Sequence, residues 1–329
     1  MELATRPWIT AGIALAGAGA IVATPMAMSS PTLPDLQTRA VNLTSGVDPL
    51  TEWADVLQAA QANATGIFDQ FAAAPFPVLQ QEIVNQVGYL QDLIKDPSSI
   101  STVLADIQDN LAAAAAAPFA ADADPGTLDI SHQAIFELLP LFEGDNAAEL
   151  QPLLDFATSP LSGILLGAVG PLISPMLALN DDITDIGAAL SGATPDLTTA
   201  FDDLVNIPAS LTGALLNGYG DVDLSALLPL LPSDLFSGVS LSSIEVAMGG
   251  LLSEGGSLFN ALGLGIDLSG VTLTLEPGEA PGMLGSMVEL AQVIAESIGW
   301  SGTGDPLASL FDMGANTTAD LVTDFAGMF

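Results

Sequence analysis

The amino-acid sequence predicts a mainly α-helical protein with a short β-hairpin towards its C-terminal end. Three observations carry that reading. Amphipathic stripes at helical spacing recur between Asp48 and Ala117. Beyond Gly126 the apolar runs continue but are cut repeatedly by Gly and Pro. One short stretch, Val271-Thr272-Leu273-Thr274-Leu275, alternates as a strand does.

The elements follow in order. Residues 1–30 form an N-terminal helix, either a secretory signal peptide or a signal anchor. Arg6 is followed by an apolar run from Trp8 to Pro25, and no charge returns until Asp35. As a helix, residues 8–28 would reach about 31 Å, close to the ~30 Å core of a bilayer. Arg6 keeps the N-terminus initially cytoplasmic, and the scarcity of cations downstream favours export of the rest. Residues 31–47, with Pro31 and Pro34, read as a linker.

Residues 48–126 read as a helical, bundle-like unit. Asp48-Pro49 starts its first helix, with Asp as N-cap, Pro at the first helical position and Glu52 in the first turn. Leu50, Trp53, Leu57, Ala60, Ala64, Ile67 or Phe68, and Phe71 form its stripe, and Pro75-Phe76-Pro77 stops it. A second helix spans about 78–94, with Leu79, Ile83, Val87, Leu90 and Ile94 on one face. A third spans about 101–117, with Val103, Leu104, Ile107 and Leu111 together. Short connections predict antiparallel neighbours whose stripes form a mutual core.

Residues 127–329 read as an apolar, Gly/Pro-interrupted helical unit with a strand near 266–276. Residues 156–180 carry no charge. Gly163 and Gly167 have the spacing that permits close helix approach. Pro160, Pro171 and Pro175 argue against one unbroken helix and for a buried or re-entrant hairpin, its contacts either lipid or protein. Asn180 followed by Asp181, Asp182 and Asp185 reads as a helix cap with acids in the first turn. Ile266 and Leu268 extend or pair with the 271–275 strand. A last strong helix runs from about Met283 to Ile298, and the tail from Pro306 adds a short one.

Composition narrows function. The chain has 39 acidic and three basic residues, a net charge of −36, and is half apolar, with a mean hydropathy of +0.53. A compact chain of this mass would expose roughly 12,600 Å², or about 300 Å² per charged side chain. That matches the largest apolar patch of a typical soluble monomer, so apolar surface is expected to meet lipid, another copy or an apolar ligand. Arg6, Arg39 and Lys95 cannot supply a nucleic-acid interface.

The search for chemistry returns no catalytic, cofactor-binding or metal residue. There is no cysteine, and His132 is the single histidine. Zinc and iron sites of the usual kind are excluded. No nucleophile elbow exists; Ser301, in Gly299-Trp300-Ser301-Gly302, comes nearest. His132, beside Ser131 at a helix start, reads as a capping or surface residue. Asp122, Asp124 and Asp129 bracket a turn but fail the calcium-loop pattern, since Thr127 and Gln133 stand where Gly and Glu are needed. Asp221 and Asp223 flank another turn. Gly263-Leu264-Gly265 lacks the third glycine of a dinucleotide fingerprint.

Three stretches carry a resemblance. They are Arg6-Pro7-Trp8-Ile9-Thr10-Ala11-Gly12 with Pro31 to Leu43 after it, Pro75-Phe76-Pro77 through Tyr89, and Asn206-Ile207-Pro208-Ala209 with Ala214 to Gly220. The chain thereby resembles mycobacterial Ala/Gly-rich exported proteins, loosely labelled PE-PGRS or PPE-like. The resemblance implies location in a mycobacterial cell envelope or at its surface, and transfers no functional residue. The combined expectation is a non-enzymatic, exported cell-envelope protein without cofactor. It would be membrane-associated or self-assembling, as an outer-envelope homo-oligomer or pore-like assembly, with lipid or membrane as partner and no nucleic acid. The alternative is a soluble exported carrier whose Leu-rich helices between 128 and 300 enclose a lipid or other apolar ligand.

Overall fold

The computed structural model describes residues 48–120, 128–142, 147–191, 193–230, 240–268 and 271–308. The signal or anchor segment, the linker, the break at 122–126 and the tail beyond 308 lie outside the described residues. The chain is mainly helical, with a small antiparallel sheet of four strands. The helices are α1 (Pro49–Ala73), α2 (Pro77–Lys95), α3 (Ile100–Ala116), α4 (Ile130–Phe142), α5 (Ala147–Ala157), α6 (Pro160–Ser191), α7 (Leu197–Asn217) and α8 (Met283–Ser297). The strands are β1 (Gly220–Asp223), β2 (Ser240–Met248), β3 (Leu262–Leu268) and β4 (Val271–Leu275).

Two compact units divide the chain, and each is discontinuous in sequence. Of the described residues, the larger takes those of 48–67 and 119–287 and the smaller those of 68–118 and 288–308.

In the larger unit, strands β1 to β4 lie side by side in chain order, a meander with antiparallel neighbours. The β3–β4 pair is the hairpin expected near 266–276, with Ile266 opposite Leu273 and Leu264 opposite Leu275. Strands β1 and β2 add to it. The core lies where Leu166 of α6 meets Val246, Ala247 and Met248 of β2, together with Leu224, Leu258, Ala261 and Ala280.

Helix α6 corrects the expectation of a broken hairpin at 156–180. It runs 32 residues through both Pro171 and Pro175. Each proline forfeits one ladder hydrogen bond, at a cost of about 3 kcal/mol. Burial holds the segment straight enough. Gly163, Gly167 and Gly170 press against the backbone of the 249–256 and 282–283 segments, and a Cβ at Gly163 would stand 1.7 Å from Gly256 O. The glycine pair thus serves close approach to loop backbone, not to a second helix. Asp181, Asp182 and Asp185 consequently lie inside α6, not in the first turn of a new helix capped by Asn180.

Helix α7 folds back on α6. Its N-cap is Asp196, whose Oδ1 accepts from the Thr198 and Thr199 amides at 3.1 Å each. Its end is Gly218, at φ 97°, a conformation that glycine adopts without a Cβ clash. The first half of α1 packs on α7: Asn217 Nδ2 donates to Val56 O at 3.1 Å and Asn63 Nδ2 donates to Asn217 Oδ1 at 3.2 Å.

In the smaller unit, the Pro75-Phe76-Pro77 corner places Phe76 at φ 52°. The Phe71 ring meets Phe76 edge-on at 5.3 Å, and Gln80 Nε2 donates to Pro75 O at 2.6 Å, holding the turn. Helix α2 starts immediately after it. Ala74, Ala295 and Trp300 form the small core here, with Val78 against them.

Candidate functional site

The helices present their apolar stripes outward. On α2, Leu79, Ile83, Leu90 and Ile94 are exposed, the last by 73%. On α3, Ile100, Leu104, Ile107 and Leu111 are exposed. On α6 the exposed row is Leu172, Met176, Leu179, Ile183 and Leu190; on α7 it is Leu197, Phe201, Leu204 and Leu215. Leu50, Leu57 and Phe68 of α1 are exposed as well. Of the stripe residues only Ala60 and Val103 are buried, so the expectation that the stripes form a mutual core is overturned.

The physical reason lies on the opposite faces. Helix α2 buries Gln80 and Gln81 because Gln80 and Asn85 satisfy backbone groups and Gln81 Nε2 donates to Asn85 Oδ1 at 2.9 Å. Asn85 Nδ2 donates to Ile298 O at 2.9 Å, and Gln80 Oε1 accepts from the Leu307 amide at 3.3 Å. An unpaired backbone group would cost about 1–3 kcal/mol, comparable with burying one more leucine. On α7 the buried side is Ala200, Asp203, Asn206, Ala209, Ser210 and Ala214. Small side chains let helix axes approach closely, and larger ones on that face would hold them apart.

Helix α6 is long and apolar enough, by length and composition, to cross a bilayer. Its first half is instead covered by β2 and the loops that its glycines contact, and its last third carries three aspartates. It is a core helix with one outward apolar edge.

The buried side of the α1–α6–α7 layer is acidic. Glu52, Asp182 and Asp203, one from each helix, are 7%, 7% and 8% exposed. Burial pushes the Asp182 carboxyl up to about 6; the Ser210 hydroxyl opposes this, while Asp181, Asp185 and Asp203 add to it. Burial likewise raises Glu52, with Asp55 and Asp182 contributing, and raises Asp203, with Asp185, Asp202 and Asp196 contributing. Burial also raises the Tyr219 phenol, whose hydroxyl donates to Asp181 Oδ2.

His132 is fully buried, which corrects the capping or surface reading. The cap of α4 is Asp129, whose Oδ1 accepts from the Ser131 and His132 amides at 2.8 and 3.0 Å. Its Oδ2 stands 2.6 Å from His132 Nδ1. His132 Nε2 stands 2.7 Å from Leu262 O on β3. A carbonyl only accepts, so Nε2 carries a proton and donates. Phe259 meets the ring edge-on at 5.9 Å. Nε2 thus ties α4 to the sheet while Nδ1 is engaged by the cap of its own helix, so both ring nitrogens are occupied and neither is free to take a proton from a nucleophile.

The remaining sequence candidates are placed separately. Ser301, in the smaller unit, donates its hydroxyl to Thr303 O. Asp221 and Asp223 lie on β1, where Asp223 sits opposite Glu245 and accepts from the Ser225 amide at 2.7 Å. Gly263 and Gly265 lie inside β3. Asp122 and Asp124 lie outside the described residues. Among the described residues no three His, Cys, Asp or Glu side chains converge as a metal would require. Sequence reasoning missed the acidic layer; its signal was acids at Glu52, Asp182 and Asp203 on the small-residue faces rather than opposite them.

No known protein family matches the chain, and no curated protein or solved structure matches it.

Proposed function

We propose that the chain is a non-enzymatic, exported cell-envelope protein that lies against lipid through its outward apolar helix faces. The observation that carries this reading is the outward rows of Leu, Ile, Met and Phe on α2, α6 and α7, opposed on α2 and α7 by buried Gln, Asn, Asp, Ser and Ala. Each compact unit bears such faces on helices of its own, and a fluid apolar phase covers them without a shaped pocket. The apolar segment at 8–28 supports export. The charge supports uncharged or zwitterionic lipid, because an anionic surface repels a chain of net −36.

Flotation with phosphatidylcholine vesicles tests the reading. The chain is expected to float with these vesicles at low and high salt alike, and to float less with phosphatidylglycerol vesicles at low salt. A chain that stays behind as a monodisperse monomer without detergent refutes it. Assembly of copies, the other form of this hypothesis, would instead strengthen with added salt as mutual repulsion is screened.

A further inference from the structure

We propose that the α1–α6–α7 layer is a proton-controlled latch, closed while the buried carboxyls of Glu52, Asp182 and Asp203 hold protons and loosened when they ionise. The inference stands on the fold alone and does not depend on lipid binding.

Three carboxyl groups from three helices share one buried layer, each with nine-tenths of its surface covered. Asp182 Oδ2 and Asp203 Oδ2 have no hydrogen-bond partner. Ser210 Oγ, 2% exposed, faces Asp182 yet closes no well-formed bond of its own. An ionised carboxylate left so costs several kcal/mol, and the neutral acid far less.

Among the described residues no alternative neutraliser is at hand. The described part of this unit contains no Lys or Arg. Its carboxylates do not converge as a metal site would require. Every charged or titratable group facing the layer is itself acidic. These are Asp55 on α1, Asp181 and Asp185 on α6, Asp196 and Asp202 on or beside α7, and Tyr219, bonded to Asp181. Ionising any of the three buried groups adds repulsion to desolvation, and both push the helices apart.

The sign follows from the raised carboxyl values. The closed layer binds protons more tightly than the open chain, so closure is fully favoured below the ordinary carboxyl range. It is lost as pH rises through about 6. A rise from 3.8 to about 6 at Asp182 alone multiplies the opening equilibrium by about a hundredfold between acid and alkaline pH.

Hydrogen exchange of the full chain, corrected for intrinsic rates and compared at about pH 5 and about pH 8, tests this. Peptides from 50–60, 174–190 and 197–213 are expected to lose protection at least tenfold at the higher pH, while 78–94 and 101–116 of the smaller unit keep theirs; the sheet is no control, because burial and Glu245 raise Asp221 on β1 to about 7. Asp182→Asn is expected to retain most of the α6–α7 protection at pH 8. Where that variant fails to fold, Asp203→Asn or Glu52→Gln gives the same reading. Equal protection at both pH values overturns the proposal, as does a neutral variant with the original pH profile. Simultaneous loss in 78–94 and 101–116 overturns it too, because the event is then global. So does restoration at pH 8 by millimolar calcium, which would mark a metal site.

Discussion

Adding one methyl group to α6 at Gly163 should cost far more than its chemistry suggests. A Cβ there would stand 1.7 Å from Gly256 O, 2.8 Å from Gly256 C and 3.2 Å from Ser286 Oγ. Carbon contacts are comfortable only at about 3.5–4.0 Å, so the carbonyl or the helix must move well over 1 Å. The obstructing atom is backbone, in a segment buried between α6 and the 280–282 stretch, so no side-chain rotation relieves the overlap. Overpacking of this kind costs about 1–3 kcal/mol and more when backbone must shift. Against it stands the helical preference of Ala over Gly, about 1 kcal/mol. The clash wins, and Gly163→Ala should destabilise the chain by about 2 kcal/mol or more, a large part of an ordinary folding stability. Gly187 supplies the control on the same helix. Nothing lies within 4 Å of its hypothetical Cβ, so Gly187→Ala keeps only the propensity gain and should stabilise by up to about 1 kcal/mol. Urea denaturation followed by circular dichroism measures both. Equal shifts of the two midpoints, or a Gly163→Ala chain as stable as the parent at unchanged slope, would refute the glycine seam.

Three further outcomes are expected. His132→Ala removes two buried hydrogen bonds and the edge contact with Phe259, and should cost about 3–5 kcal/mol by the same denaturation assay. Thermal stability should be greatest near pH 4–5 and fall towards pH 8. The raised carboxyls of Asp182, Glu52 and Asp203 favour the fold below pH 6, while the lowered carboxyls of the caps Asp96 and Asp196 favour it only above their own range; a melting temperature that climbs from pH 5 to pH 8 contradicts this balance. Replacing Leu172, Met176 and Phe201 with Gln should reduce vesicle flotation severalfold with little change in stability, because these side chains are already exposed; an equal loss of both would show that they pack inside the protein.

Helix positions were legible because Pro and Asp punctuate them. Asp48-Pro49, Phe76-Pro77 and Asp96-Pro97 mark the starts of α1, α2 and the short turn before α3 to within a residue or so. Which face is buried was not legible. Period alone cannot tell inside from outside, and the assumption of an apolar interior fails where Gln80, Asn85 and Asn217 must satisfy distant backbone or side-chain groups. Strand β1 has four residues, and β2 reads Ser-Leu-Ser-Ser-Ile-Glu-Val-Ala-Met, whose alternation ends halfway because its last three residues are all buried. His132 escaped for another reason. Its decisive partner, Leu262 O, lies 130 residues away, and a lone histidine carries no local sign of such a contact. Pro171 and Pro175 misled because helix breaking is a local cost, whereas the burial that offsets it comes from segments roughly 80 to 115 residues further on.

The reversed polarity and the acidity bear on the same surface. Four outward side chains of leucine size, transferred from water to hydrocarbon, contribute about 2 kcal/mol each, or about 8 kcal/mol together. That corresponds to roughly micromolar binding before any ordering cost. The outward rows of α6 and α7 alone hold more than four such residues. Binding of neutral lipid therefore needs no specific pocket and no cation. Pairing of two copies must bring two sets of like charge together, and each chain holds 39 carboxylates against three bases. Apolar attraction is common to both outcomes, so charge decides between them. On the proposed reading, a chain whose excess charge opposes its own copies is better matched to an uncharged apolar phase than to itself.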